Sequence, residues 1–163
     1  MKLQDNVSLI TGAGSGIGRA TALRFAAEGA VVVAVDLDEA AALETQCMIE
    51  SQGQKALGLR VDVSQETQVK SAIATTLSTY GRLDILFNNA GLSILKSIPD
   101  TTEAELDKLL AVNFKGLFFG CKHAMPIMAT QGSGVIINTA SELALVGQPL
   151  YGAYCATKGA ILS

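Results

Sequence analysis

Histidine is almost absent, since His123 is the only one in 163 residues. It follows Lys122 in a stretch that reads as helix, with no second histidine or cysteine at ligand spacing. A zinc site on it is therefore not expected, and His123 reads as a surface or subunit-contact residue. The same scarcity removes the acid-histidine pair of a serine hydrolase, so Ser141 is not the nucleophile of a triad. Cysteine is sparse too: Cys47, Cys121 and Cys155 are an odd number at wide spacing with no CxxC pair. Neither a disulfide framework nor a metal cluster is expected, and the setting reads as a reducing cytoplasm. Charged residues make up only 17%, with a net charge of -3, which leaves no basic footprint for nucleic acid or an anionic membrane. No apolar run is long enough to span a bilayer. Met1-Lys2-Leu3-Gln4-Asp5 turns polar at once, unlike a signal peptide. There are no repeats and no low-complexity tracts.

What is present is apolar and periodic. The chain is 49% hydrophobic, and its length suits one domain with a sizeable core. Runs such as Val31-Val32-Val33-Ala34-Val35 suggest strands buried on both faces, as in a parallel sheet. Strands alternate with helices, which points to a doubly wound α/β fold. The first strand, Val7 to Thr11, breaks into Gly12-Ala13-Gly14-Ser15-Gly16-Ile17-Gly18 and then a helix. Strand, glycine loop and helix form the opening of dinucleotide-binding domains. The spacing departs from G-x-G-x-x-G, and the usable glycines are Gly12, Gly16 and Gly18. Glycine lets the backbone turn and approach a pyrophosphate, while free N–H groups at the helix start receive its charge. A bare strand-to-helix turn is the competing reading.

The second strand ends at Asp36, eighteen residues beyond Gly18, where an acid grips the ribose hydroxyls of NAD. A carboxylate there would repel the 2'-phosphate of NADP, and Leu37 follows in place of a phosphate-binding arginine. NAD is the expected cofactor over NADP, unless Asp36 merely caps the next helix with Asp38 and Glu39. A third strand, Ala56 to Val61, leads into Asp62-Val63, with Ser64 read as an N-cap. The next helix buries Val69, Ala72, Ile73 and Leu77 on one face and stops at Gly81. A fourth strand, Leu83 to Phe87, enters Asn88-Asn89-Ala90-Gly91. Thr102 and Glu105 make a capping box. The helix they open carries Asn113 in its apolar row, where a buried amide must find partners. Asn113 is either a structural amide or part of a polar relay. Pro126 is expected to kink this helix.

The fifth strand, Val135 to Asn138, precedes a loop holding Ser141, and thirteen residues later comes Tyr154-Cys155-Ala156-Thr157-Lys158. Four residues apart on a helix, Tyr154 and Lys158 share a face. An ammonium beside a phenol favours its ionised form and makes a proton donor and acceptor. An ordinary helix-surface pair is the alternative. Tyr151 lacks a lysine at this distance.

Taken together, Thr11-Gly12-x-x-x-Gly16-Ile17-Gly18, Asp36, Asp62-Val63, Asn88-Asn89-Ala90-Gly91, Asn113, Ser141 and Tyr154-x-x-x-Lys158 resemble the short-chain dehydrogenase/reductase family, in its order. The resemblance implies a Rossmann-type doubly wound parallel β-sheet with helices on both faces. It also implies hydride transfer between NAD(H) and a secondary alcohol or ketone, in a protein that is a homo-oligomer. Tyr154 would be the general acid and base, Lys158 would hold the nicotinamide ribose, Ser141 would orient the substrate oxygen, and Asn113 would anchor a relay water. Gly12, Ser15, Gly16, Ile17 and Gly18 would bind the pyrophosphate side. Asp62 and Val63 would meet adenine, with Asn88 and Gly91 along the adenosine. Family members continue into two further strands and a substrate-binding helical region, whereas this sequence ends at Ser163. The fifth strand is therefore expected to be an exposed edge, and a non-catalytic nucleotide-binding or scaffold role is the rival expectation.

Overall fold

The computed structural model describes residues 1–163. Five parallel strands lie in the order β3-β2-β1-β4-β5. The elements run β1 (Val7–Thr11), α1 (Gly16–Ala27), β2 (Val31–Asp36), α2 (Glu39–Glu50), β3 (Ala56–Arg60), α3 (Glu66–Tyr80) and β4 (Ile85–Asn88). Next come α4 (Glu103–Leu109), a π-helical turn (Leu110–Lys115), α5 (Gly116–Gln131), β5 (Val135–Asn138), a 3-10 turn (Glu142–Ala144) and α6 (Gly152–Leu162). Every strand pair is parallel, in registers such as Leu9 beside Val33 and Leu86. This is the doubly wound architecture that the alternation of strands and helices predicts.

Successive strand residues face opposite sides, and two cores result. Leu9, Val33, Val35 and Leu86 pack with Val69, Ile73 and Met128 of α3 and α5. Ile10, Val32, Ala34 and Phe87 pack with Ala22, Ala26 and Ile49 of α1 and α2. Sandwiched this way, β2 is buried at its four central positions. Alanine where helix meets sheet lets the helices approach closely.

Several expectations shift by a residue or two. Ser64 does not cap α3: the helix starts at Glu66, and Ser64 turns back to donate both its N–H (2.9 Å) and its hydroxyl (2.7 Å) to Asp62 Oδ1. Asp38 alone caps α2, accepting from the Ala40 and Ala41 N–H groups. The Thr102–Glu105 capping box and the left-handed stop at Gly81 form as read. The long helix runs through Pro126 to Gln131. Ahead of it lies a π turn that contains Asn113. No helix is long and apolar enough to cross a membrane.

Candidate functional site

The strand order reverses between the parallel neighbours β1 and β4, whose onward connections lead to opposite edges of the sheet. In open α/β sheets that crevice, at the carboxyl ends of the strands, is where ligands bind. Here it holds a cleft of about 990 Å³ lined by residues that include Gly12, Ser15, Gly16, Ile17, Asp36 and Asp62. Its floor is the glycine loop, and two glycines there are dictated by geometry. Gly12 has φ of +66°, and a Cβ on Gly18 would sit 2.0 Å from the Gly12 carbonyl oxygen. The buried Gly18 is thus what allows α1 to start against the loop.

A third glycine matters that the sequence reading set aside. Gly14 donates its N–H to Asp36 Oδ2 at 2.8 Å, and a Cβ there would meet that oxygen at 2.7 Å. Contact across 22 residues leaves no local signal. Asp36 also accepts the Asp38 N–H at Oδ1 (3.1 Å). Its carboxylate is therefore fixed at the cleft wall, and the cap of α2 is left to Asp38. The loop is tied from behind as well: the fully buried Thr45 donates to the Ala13 carbonyl at 2.8 Å and accepts from Arg19 Nε at 3.0 Å.

These residues fit a dinucleotide. The first turn of α1 carries no acidic residue, and Ser15 makes no capping bond, so its N–H groups are free for an anion. Gly16 has open space where a Cβ would be. Asp62 and Val63 line the far end of the cleft, with Asp62 Oδ1 engaged by Ser64. Gly91 lines the near end, and the atoms nearest to a Cβ there would be Asn113 Oδ1 (3.3 Å) and Lys158 Nζ (3.6 Å). Glycine thus keeps the passage from the cleft toward those two groups open.

Asn88 is placed differently from the expectation. It is buried, and its side chain donates to Asn138 Oδ1 at 2.9 Å and faces α5 at Gly120. The pleat puts the next residue, Asn89, on the cleft instead, where Nδ2 donates to the Thr11 carbonyl at 3.1 Å.

The remaining candidates gather beyond β5. Ser141 and Tyr154 line one hollow of about 330 Å³, the serine at the cap of the 3-10 turn and the tyrosine in the first turn of α6. The Tyr154 and Tyr151 rings meet edge to face at 6.0 Å. Lys158 is 4% exposed. Its Nζ donates to the Thr139 carbonyl at 2.7 Å and lies 5.7 Å from the Tyr154 ring centre. Burial pushes its ammonium pKa below the ordinary lysine value. Asn113 uses three of the four hydrogen-bonding positions of its amide: Oδ1 accepts the Leu92 N–H at 2.9 Å, while Nδ2 donates to the Leu92 carbonyl (2.9 Å) and to Thr157 Oγ1 (3.1 Å). It pins the π turn to the segment after β4 and to α6. Thr157 was not singled out in the sequence, and only the fold reveals its part. His123 Nε2 lies 3.0 Å from Glu66, which also binds Lys122. No group of three or more His, Cys, Asp or Glu side chains comes together to hold a metal ion.

With this geometry in hand, comparisons with known proteins agree with one another. The sequence model of the family described as short chain dehydrogenase matches residues 6–163. An uncharacterised oxidoreductase of Thermotoga maritima is 43% identical over 162 residues, covering 99% of this chain and 64% of that protein. The 2-(R)-hydroxypropyl-CoM dehydrogenase of Xanthobacter autotrophicus is 42% identical, covering 97% of this chain and 65% of its own. Among solved structures, NAD+-bound xylitol dehydrogenase superposes with a TM-score of 0.96 at 34% identity, over 99% of this chain and 63% of that one. The chain thus spans somewhat under two thirds of the length of these relatives.

Proposed function

The chain belongs to the short-chain dehydrogenase family, and on that premise we propose that it is an oxidoreductase interconverting a secondary alcohol and a ketone with NAD(H). The observation that carries this reading is the convergence of Ser141 and Tyr154 on one hollow, with Lys158 buried behind the tyrosine. An NAD-bound relative supports the cofactor, and dehydrogenases of hydroxypropyl-CoM and xylitol support an alcohol.

The α1 start binds pyrophosphate through Gly12, Ser15, Gly16 and Ile17, with Gly18 keeping the loop close. Asp36 holds the adenosine ribose, and its charge opposes the extra phosphate of NADP. Asp62 and Val63 meet the adenine. Gly91, expected along the adenosine, lies beside Asn113 and Lys158 and would instead line the nicotinamide end, while Asn88 braces β4 against β5 from behind. NAD, when bound, takes up or returns the hydride. Tyr154 removes the alcohol proton in oxidation and supplies it in reduction. Lys158 holds the ribose, and Ser141 orients the substrate oxygen. Asn113 holds α6 in place, and the remaining lone pair of its Oδ1 would accept from a water that passes protons to Lys158.

The test is Tyr154→Phe, assayed with NADH and a panel of small ketones. Turnover should fall by at least about 10²–10⁴-fold, with NADH affinity by fluorescence titration nearly unchanged. Retained turnover would remove Tyr154 from the chemistry. NADH binding by the wild-type protein with no turnover of any ketone would favour a non-catalytic nucleotide-binding role.

A further inference from the structure

The hollow that holds Ser141 and Tyr154 is small and polar. Its volume of about 330 Å³ is at the low end for ligand sites. Of the other lining residues, Ser93, Glu142, Gln148 and Tyr151 carry polar side-chain atoms and only Leu143 does not. Such a wall matches a hydroxylated molecule better than a hydrocarbon.

Within it, Ser141 is already engaged. Its Oγ donates to Glu142 Oε2 at 3.2 Å and accepts the Leu143 N–H at 3.2 Å. A hydroxyl has one proton and two lone pairs, so Ser141 in this arrangement offers a ligand only an acceptor. An alcohol O–H can use that acceptor. A ketone oxygen needs the proton, which the hydroxyl supplies by turning away from Glu142, and the carboxylate then loses that donor. No cation competes for Glu142, which takes part in none of the chain's ion pairs. A second hydroxyl on the neighbouring carbon replaces the lost donor: it donates to the Glu142 carboxylate while Ser141 donates to the carbonyl oxygen.

We propose that Glu142 is a specificity-determining residue that selects vicinal diols and α-hydroxy ketones over alcohols and ketones with one oxygen. This rests on the oxidoreductase reading above.

Two measurements test the inference separately from that reading. In the first, kcat/KM with NADH is compared for hydroxyacetone and acetone. Wild-type protein should prefer hydroxyacetone about tenfold or more, the scale of a hydrogen bond to a charged group. Glu142→Leu should bring the ratio close to one, chiefly by raising kcat/KM for acetone, a gain that a merely structural role would not produce. Glu142→Gln, which keeps an acceptor, should fall between the two. In the second, NADH-loaded protein, in which an alcohol cannot react, is titrated with propylene glycol and with isopropanol. The glycol should bind about tenfold more tightly, and Glu142→Leu should abolish the difference. An unchanged acetone rate in Glu142→Leu, equal binding of the two alcohols, or a preference for dimethylaminoacetone over hydroxyacetone would overturn the inference. Selective glycol binding without turnover of any ketone would leave the inference standing and remove the oxidoreductase reading. Turnover without selectivity would do the reverse.

Discussion

β1 and β5 are both short apolar parallel strands, yet β1 is buried at all five positions and β5 is exposed at three of four, with Val135 at 55%. β1 pairs with β2 and β4, whereas β5 pairs only with β4. An apolar run therefore identifies a strand, but the number of neighbours decides whether it is core. The two ends of the candidate site inherit this difference. The glycine loop after β1 is set by backbone against backbone, as Gly18 lies on Gly12. The Ser141 and Tyr154 hollow after β5 is held by side-chain bonds that join separate segments, Asn113 to Thr157 and Lys158 to Thr139.

The widest gap is expected in packing. Leu9→Ala should cost about 2–5 kcal/mol, and Ile137→Ala roughly 0.5 kcal/mol, as for surface sites, measured by urea denaturation. Equal losses would break the contrast and mean that β5 is covered in solution. Next, Gly18→Ala should cost roughly 1–3 kcal/mol by overpacking and abolish NADH binding. Gly16→Ala meets no neighbouring atom and should cost only its backbone strain, about 1–2 kcal/mol. A Gly18→Ala variant that bound NADH normally would show that the loop is more yielding than β1 suggests. Asp36→Ala should weaken NADH about tenfold and relax discrimination against NADPH in parallel titrations. Unchanged preference would reduce Asp36 to a support for Gly14.

The smallest effect lies on the open side, where Lys96 joins the segment after β4 to α4. The Lys96 ammonium, followed by the Thr102 N–H and hydroxyl, holds the Glu105 carboxyl down at about 2 from its ordinary 4.5. Because the folded value lies below the unfolded one, the stability it confers is present above pH 4.5 and is lost as pH falls toward 2. Lys96→Met should flatten the acid limb of a plot of melting temperature against pH. An unchanged limb would assign it to other carboxylates such as Asp84, which burial raises but Arg82 and the Val7 N–H lower further.

Much of this was legible from local pattern. β5 has the bounds its apolar run gives, the capping box at Thr102 forms, and the glycine loop enters a helix where expected. Features set by distant partners were not legible. Gly14 acquires its role from Asp36, and Asn113 from Leu92 and Thr157. The π turn escapes a helical-periodicity reading because an apolar row tolerates one inserted residue. Whether Asn88 or Asn89 faces the cleft depends on the parity of the pleat at the end of β4, and adjacent asparagines give no hint of it. Ser64 misled because a serine before a helix can bond backward as readily as forward.

The atom that anchors Lys158 is the carbonyl oxygen of Thr139, not its side chain. Every amino acid carries that oxygen, so the anchor survives any replacement at position 139 that keeps the backbone path. A substitution there would report on the hydroxyl, which donates to Asn89 Oδ1 at 3.4 Å, and not on the anchor, although the ammonium depends on the position. The requirement is written in chain geometry, and it would surface only when the strand or turn around it was moved.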